Sequence, residues 1–208
     1  MTKAITVHGM TGSGNCYKPA LLMRQLGVAY RWHEVDTRKQ ESRTPEFLAK
    51  NPNGKVPLLE VDGKFLAESN AMLCYLAEGT PLLPADRWAR AQVLQWLFFE
   101  QYSHEPYIAT VRWWVHGLHK QVELKEKIAE AMKKGYAALD VMEQQLAKTP
   151  FLAGDAYSIA DIALYAYTHV AFQGGYDLAR YPAVSAWLKR VAAQPRYVDM
   201  EAASRAGT

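Results

Sequence analysis

The hydrophobic period of this chain changes once, at a short proline-bearing segment, and that change limits the possible folds more than any other feature. Before Thr80 the apolar residues come in short β-rich runs and brief helical stripes punctuated by glycine; after Asp86 they recur every three to four residues. Thr80 to Asp86 contains Pro81 and Pro84 and reads as a linker. The 208 residues therefore divide into an α/β domain over 1–79, a linker over 80–86 and an all-helical domain over 87–208.

Within the first part, Ala4 to Val7 reads as a strand, followed by Gly9, Gly12 and Gly14 and then a helical stripe through Ala20, Leu21, Met23 and Leu26 that Gly27 should cap. Tyr30 to Val35 reads as a second strand. Thr44-Pro45-Glu46 opens a short helix, with Thr as cap and Pro in the first turn. Val56 to Val61 and Lys64 to Ala67 form a hairpin about Asp62-Gly63, and Glu68-Ser69-Asn70 starts a helix that ends at Gly79. The order is βαβ, a helical connection, then ββα.

Beyond the linker, Arg87 to Tyr102 has helical spacing, and Pro106 should kink or break it. Glu123 to Lys148 is amphipathic through Ile128, Met132, Tyr136, Leu139, Met142 and Leu146, with Glu123/Lys127 and Glu130/Lys134 as favourable pairs on the wet side. Ser158 to Phe172 and Ala183 to Ala193 read as further helices. Glu201 to Thr208 reads as a frayed end.

Composition excludes several classes. Half the residues are hydrophobic, enough to offset chain entropy, so global disorder is excluded. A net charge of +3, without a block of five like charges, gives no nucleic-acid footprint. The most apolar stretch, Ile159 to Phe172, is too short for a membrane span and carries Asp161. The N-terminus lacks a signal-peptide core, and Cys16 and Cys74 make no disulfide framework. The expected compartment is thus a reducing cytoplasm. His116 and His119 stand three apart with no carboxylate or cysteine to complete a set, so no metal is expected.

Three places can carry chemistry. Gly9 to Lys18 is a glycine-rich turn opening a helix, but it ends in no Gly-Lys-Ser/Thr, and the dinucleotide glycine spacing fails too. What remains is a helix N-terminus carrying Ser13, Asn15 and Cys16, whose amides attract an anion such as a thiolate; simple capping by Ser13 or Asn15 would explain the same residues. At Lys55-Val56-Pro57, a cis bond would turn the Val56 backbone off the sheet toward a peptide, whereas a trans proline at a strand start would carry no function. Glu68-Ser69 can cap a helix, or can hold a ligand's ammonium on Glu68 and its carboxylate on Ser69 and the helix N-terminus.

Taken together, Ser13-Gly14-Asn15-Cys16-Tyr17-Lys18, Asn51-Pro52-Asn53-Gly54-Lys55-Val56-Pro57-Leu58, Glu68-Ser69 and Ser158-Ile159-Ala160-Asp161 resemble the cytosolic glutathione transferase family, of the bacterial serine-bearing type, over nearly the whole chain. The resemblance implies a thioredoxin-like N-terminal domain with a cis-proline, a helical C-terminal domain and a two-fold homodimer. It implies glutathione as co-substrate with no further cofactor. Ser13 would hydrogen-bond the glutathione sulfur, and Val56 would pair with the cysteinyl backbone. Glu68 and Ser69 would bind the γ-glutamyl end, and Lys55 the glycyl carboxylate. Tyr102, His104, Tyr107 and Trp114, around Pro106, would wall a pocket for a small apolar electrophile, a peroxide or a disulfide; aromatic core packing is the plainer reading of each.

Ser13 and Cys16 occupy the spacing of a redox Cys-x-x-Cys with its first cysteine replaced, so a two-cysteine cycle is not expected. Cys74 reads as core. Ser158-Ile159-Ala160-Asp161 reads as a capping box, making Asp161 structural. The expected activity is a detoxifying glutathione transferase. The rivals are a non-catalytic interaction protein of the same fold and a glutathione-dependent disulfide reductase using Cys16 or Asn15.

Overall fold

Strand β1 (Ile5–Gly9) leads into helix α1 (Gly14–Leu26), which returns the chain to β2 (Arg31–Glu34). Helix α2 (Pro45–Lys50) precedes β3 (Leu58–Val61) and β4 (Lys64–Leu66), and α3 (Ser69–Ala77) follows. The sheet order is β2-β1-β3-β4, with β1 parallel to β2 and antiparallel to β3. This is the expected βαβ–ββα arrangement. The computed structural model describes residues 4–205.

Local chemistry sets most of these boundaries. Ser13 caps α1 in extended geometry, and Gly27 ends the helix at φ 69°, its N–H returning to Arg24 and Met23 carbonyls. Thr44 caps α2, accepting from the Phe47 amide. Asp62 (φ 49°) and Gly63 (φ 76°) both take positive φ, the backbone a two-residue hairpin of this twist requires. Val35, Phe47 and Leu58 form one apolar cluster, with Val56 and Ala67 packed against it. On the opposite side of the sheet Val7 and Leu59 are fully buried, as are Ala20, Leu21 and Leu22 of α1 and Met72 and Leu73 of α3.

The chain divides into two units, Met1–Glu78 with Gln194–Thr208, and Gly79–Ala193. The expected helical domain over 87–208 therefore ends too late. Within the first unit, the Tyr17 hydroxyl donates to the Val198 carbonyl and the Tyr30 hydroxyl to the Ala203 carbonyl, each at 2.6 Å. The expected fraying is corrected for 201–205: helix α9 (Met200–Arg205) buries Met200 and Ala203. Residues 206–208 lie outside the described ones.

The second unit is helical. Helix α4 (Arg87–Phe99) continues through a π turn over Glu100–His104 into α5 (Glu105–Arg112). Pro106 sits in the first turn of α5, so the missing N–H is absorbed by the change of helical register rather than by a break. Helix α6 (Lys125–Leu146) buries Ile128, Leu139, Met142 and Leu146 as expected. The ion pairs differ from expectation: on α6 Glu130 reaches Lys133 at 3.0 Å, and ahead of the helix Glu123 reaches Lys120 at 3.1 Å, both three residues apart. Lys134 instead lies over the Tyr107 ring, 5.3 Å from its centroid.

Helices α7 (Ile159–Thr168) and α8 (Pro182–Ala192) complete the unit. The capping box at Ser158 and Asp161 is present. Asp161 is fully buried and accepts from the amides of Ser158 and Leu152 and from the Trp187 indole at 2.9–3.0 Å. No helix among the described residues is long and apolar enough to cross a membrane, and none of them form a metal-ligating cluster.

Candidate glutathione site

The N-termini of α1 and α3 lie side by side in the first unit. The Ser69 hydroxyl is 3.4 Å from Asn15 Oδ1, although the two residues are 54 positions apart. Ser13 stands half-buried at the N-cap of α1, its oxygen accepting from the Cys16 amide at 3.4 Å. An N-cap oxygen that accepts this amide keeps its own proton to donate, and the first-turn amides add partial positive charge. Ser69 is buried and Glu68 is exposed. Glu68 carries φ 68° and ψ 110°, a conformation that side chains rarely adopt, immediately before α3.

The loop before β3 belongs to the same unit, and its Val56 packs with Ala67, next to Glu68, on one apolar cluster. The Val56–Pro57 peptide is cis, which resolves the alternative the sequence left open. Asn51, buried just after α2, donates its amide to the Lys55 carbonyl at 2.8 Å and accepts from the Asn53 amide at 3.2 Å. It thereby shapes the turn that delivers Val56. The Lys55 side chain is exposed.

Cys16 is fully buried, and its sulfur accepts from the Met10 amide at 3.4 Å. Burial pushes its thiol up to about 11, against smaller lowering contributions from Ser13 and Met10. A thiol held that high is almost wholly protonated at neutral pH and unsuited to attack. Cys74 is only half-buried, less enclosed than the core position expected for it, and neither cysteine is in a disulfide.

Sequence reasoning missed two groups that shape this site. Glu34, at the end of β2, accepts from the Thr11 amide at 2.9 Å, the Thr11 hydroxyl at 2.8 Å and the Trp32 indole at 2.7 Å. The Trp32 ring covers Gly9, where a Cβ would fall 2.8 Å from a ring carbon. The loop leading to Ser13 is thus tied to β2 by a carboxylate clamp and by a glycine–indole contact. The second group is Lys18, whose Nζ lies 3.3 Å from both Ser69 Oγ and Asn70 Oδ1 while the residue is fully buried. Its position in the run from Ser13 to Lys18 was the only signal available in sequence.

The four residues expected to wall an electrophile pocket have different surroundings in the helical unit. Tyr102 is 84% exposed, while Tyr107 and Trp114 are half-buried. His104 is a correction: it is fully buried, with Nε2 2.8 Å from the Thr168 hydroxyl. Because that hydroxyl donates to the Leu164 carbonyl at 2.7 Å, it must accept from His104 Nε2–H. The side chain ties π turn to α7 and presents no surface to a ligand.

The model of the glutathione S-transferase N-terminal domain matches residues 3–78, and that of the C-terminal domain matches residues 91–195. The chain belongs to the glutathione S-transferase family of enzymes. Among its relatives is the disulfide-bond oxidoreductase YfcG of Escherichia coli K12, 33% identical over 190 residues, with 87% of each chain covered. A solved glutathione S-transferase from Pseudomonas fluorescens is 54% identical, with a TM-score of 0.93, and the match covers 94% of this chain and 98% of that one. A glutathione transferase from Burkholderia graminis, solved with two glutathione molecules bound per subunit, is 26% identical with a TM-score of 0.82, over 97% of this chain and 87% of that one. The family's N-terminal domain in this chain is the unit that holds Ser13, Val56, Glu68 and Ser69.

Proposed function

We propose that this glutathione S-transferase family member binds glutathione in its N-terminal unit and uses the thiolate as a nucleophile. The observation that carries the reading is the convergence of the α1 and α3 N-termini, which sets the Ser13 hydroxyl, Asn15 and Ser69 at one end of the two helices. Glu68 takes the γ-glutamyl ammonium, and Ser69 with the α3 N-terminus takes its carboxylate. The Val56 backbone pairs with the cysteinyl part, and exposed Lys55 meets the glycyl carboxylate.

Ser13 stabilises the sulfur anion by donation and is no base, because a hydroxyl's own pKa is far too high. Lowering a thiol pKa by about 2 units requires about 2.7 kcal/mol. A charge-assisted hydrogen bond of about 1.5–3 kcal/mol and a helix terminus of about 0.3–1 kcal/mol suffice. The thiolate fraction at pH 7 then rises from about 3% to about 75%. The thiolate attacks an electrophilic carbon and expels a leaving group, the transferase reaction. Calorimetry with glutathione, followed by a panel of aryl halides, peroxides and small disulfides, tests this; absence of glutathione binding overturns it.

A second reading is disulfide reduction, favoured by the relative named a disulfide-bond oxidoreductase. The burial and raised pKa of Cys16 support a version in which Cys16 takes no part. Glutathione thiolate attacks one sulfur of the substrate, the S–S bond breaks, and a mixed disulfide and a thiolate leave. Higher turnover with a disulfide than with any electrophilic carbon would select it.

A homodimer in a reducing cytoplasm, acting in detoxification, is the assembly and setting that the family resemblance supports. Sedimentation at micromolar concentration checks the assembly, and a monomer there refutes it. Tyr102, Tyr107 and Trp114 are the aromatic candidates for electrophile selectivity. Their alanine variants should change the ranking of electrophiles without changing the KM for glutathione.

A further inference from the structure

Ser13 reaches the N-cap of α1 through a tight turn, Met10-Thr11-Gly12-Ser13, closed by the Ser13 amide donating to the Met10 carbonyl at 3.1 Å. Gly12 takes φ 82°, the value that a type II turn needs at its third residue. The place of the Ser13 hydroxyl therefore follows the place of this turn.

The turn is tied at two corners. The Met10 amide donates to the Cys16 sulfur at 3.4 Å, and the Met10 sulfur accepts from the Thr37 hydroxyl at 3.2 Å. Thr11, which is exposed, gives both its donors to one side chain: its amide to Glu34 Oε1 at 2.9 Å and its hydroxyl to Glu34 Oε2 at 2.8 Å. The Trp32 indole donates to the same Oε2 at 2.7 Å and so fixes the carboxylate from the strand side. Hydrogen bonds to a carboxylate are roughly twice as strong as neutral ones.

The charge of Glu34 opposes the chemistry that its geometry serves. It raises the Cys16 thiol, while Lys18 lowers it, each by less than burial does. Arg38, paired with Asp36 at 2.9 Å, also lies within the field of Glu34. A sulfur anion at the same end of α1 is disfavoured by that field. The two roles therefore carry opposite signs: losing the field alone would lower the pKa of bound glutathione, whereas losing the position of Ser13 would raise it.

We propose that Glu34 is a positioning residue of the transferase site, holding the Met10–Ser13 turn through Thr11 so that the Ser13 hydroxyl is aimed at the glutathione sulfur. The inference rests on the reading that Ser13 donates to that sulfur. Glu34 acts through the turn and needs no contact with the ligand.

The test follows the thiolate absorbance of bound glutathione against pH, together with kcat and KM for an aryl halide reaction, in the full-length protein. Glu34→Ala should move the thiolate midpoint up by about 0.5 pH unit and lower kcat about three- to tenfold, with the KM for glutathione changed less than about twofold. A midpoint that falls or stays in place overturns the inference while leaving the glutathione site standing. Thr11→Val keeps the charge of Glu34 and removes one arm of the clamp. It should move the midpoint the same way by less, and Thr11→Ser should restore it; a Thr11→Val protein that matches the wild type also overturns the inference. Should Glu34→Ala fail to fold, this Thr11 pair decides alone. In a Ser13→Ala background, Glu34→Ala should lower the midpoint slightly, because only the field remains to be lost. An upward shift there would mean that Glu34 acts other than through Ser13 and overturns the proposal. An unmoved midpoint in Ser13→Ala itself, or a wild-type protein that binds no glutathione, overturns the underlying reading together with it.

Discussion

The hydroxyl oxygen of Ser13 accepts the Cys16 amide at 3.4 Å, so the two residues that sequence spacing offers as rivals for the chemistry are joined by one capping bond. Ser13 is half-buried at the open end of α1, and Cys16 is sealed within it.

Ser13→Ala should lower turnover at neutral pH and move the acidic limb of the pH–rate profile upward, with glutathione affinity changed little. The loss of one charge-assisted hydrogen bond, about 1.5–3 kcal/mol, sets the size of the effect at roughly ten- to hundredfold. Asn15 in the same turn offers a compensating donor, so the lower end is expected. A pH–rate profile that stays in place would remove Ser13 from the mechanism.

Cys16 should resist alkylation in the native protein. With a thiol pKa near 11, its thiolate is about one part in a thousand at pH 8. Mass spectrometry after brief iodoacetamide treatment should find Cys16 unmodified until denaturant is added. Cys16→Ala should keep both conjugating and disulfide-reducing activity. Loss of disulfide reduction in that variant would restore the cysteine-based alternative.

At Glu68 the side chain and the backbone make opposite demands. Glu68→Ala and Glu68→Gly should both weaken glutathione binding, because each removes the carboxylate. Only glycine relieves the positive φ, so Glu68→Gly should be more stable than Glu68→Ala by about 1 kcal/mol. Denaturant titration of the pair, beside calorimetry, separates the two effects. Equal stability would mean that the backbone there carries no strain.

Asp161→Ala should destabilise the protein by about 2–4 kcal/mol, since it strands the Trp187 indole and the Leu152 and Ser158 amides in the interior. Burial also raises this carboxyl, to about 6, against the hydrogen bonds that lower it. A carboxyl raised on folding binds its proton more tightly in the native state. Its contribution is therefore fully present below the unfolded value near 3.8 and is lost as pH rises toward 6 and beyond. Activity per folded molecule should be unchanged, and a stable but inactive variant would overturn the structural role.

His8 should make the first unit sensitive to mild acid. Its pKa lies below 6.5, chiefly through burial and further through His33, with the 2.8 Å hydrogen bond to Glu60 opposing. For a base lowered on folding, stability is present above pH 6.5 and is lost as pH falls through the folded value, because the unfolded chain takes the proton first. Tm followed from pH 7.5 to 5 should fall, and His8→Gln should flatten that slope. An identical slope in the variant would place the acid sensitivity elsewhere.

Features fixed within three or four residues were legible in the sequence alone. The Asp62-Gly63 hairpin, the Gly27 stop, the Thr44 cap and the Ser158–Asp161 box all formed as read, because a cap or tight turn is satisfied by neighbours along the chain. The change of hydrophobic period likewise determined the α/β and helical parts. Tertiary structure alone decided what depends on a partner far along the chain. Lys18 is buried because α3 brings Ser69 and Asn70 to it from about fifty residues away, and the Ser13 loop is tied down because β2 carries Glu34 beside Thr11. His104 lies in the core because α7 offers Thr168. The tail docks through Tyr17 and Tyr30, so it joins the first unit despite being last in sequence. Burial and long-range hydrogen bonds are properties of packing, and a single sequence records the residues that pack without recording which of them meet.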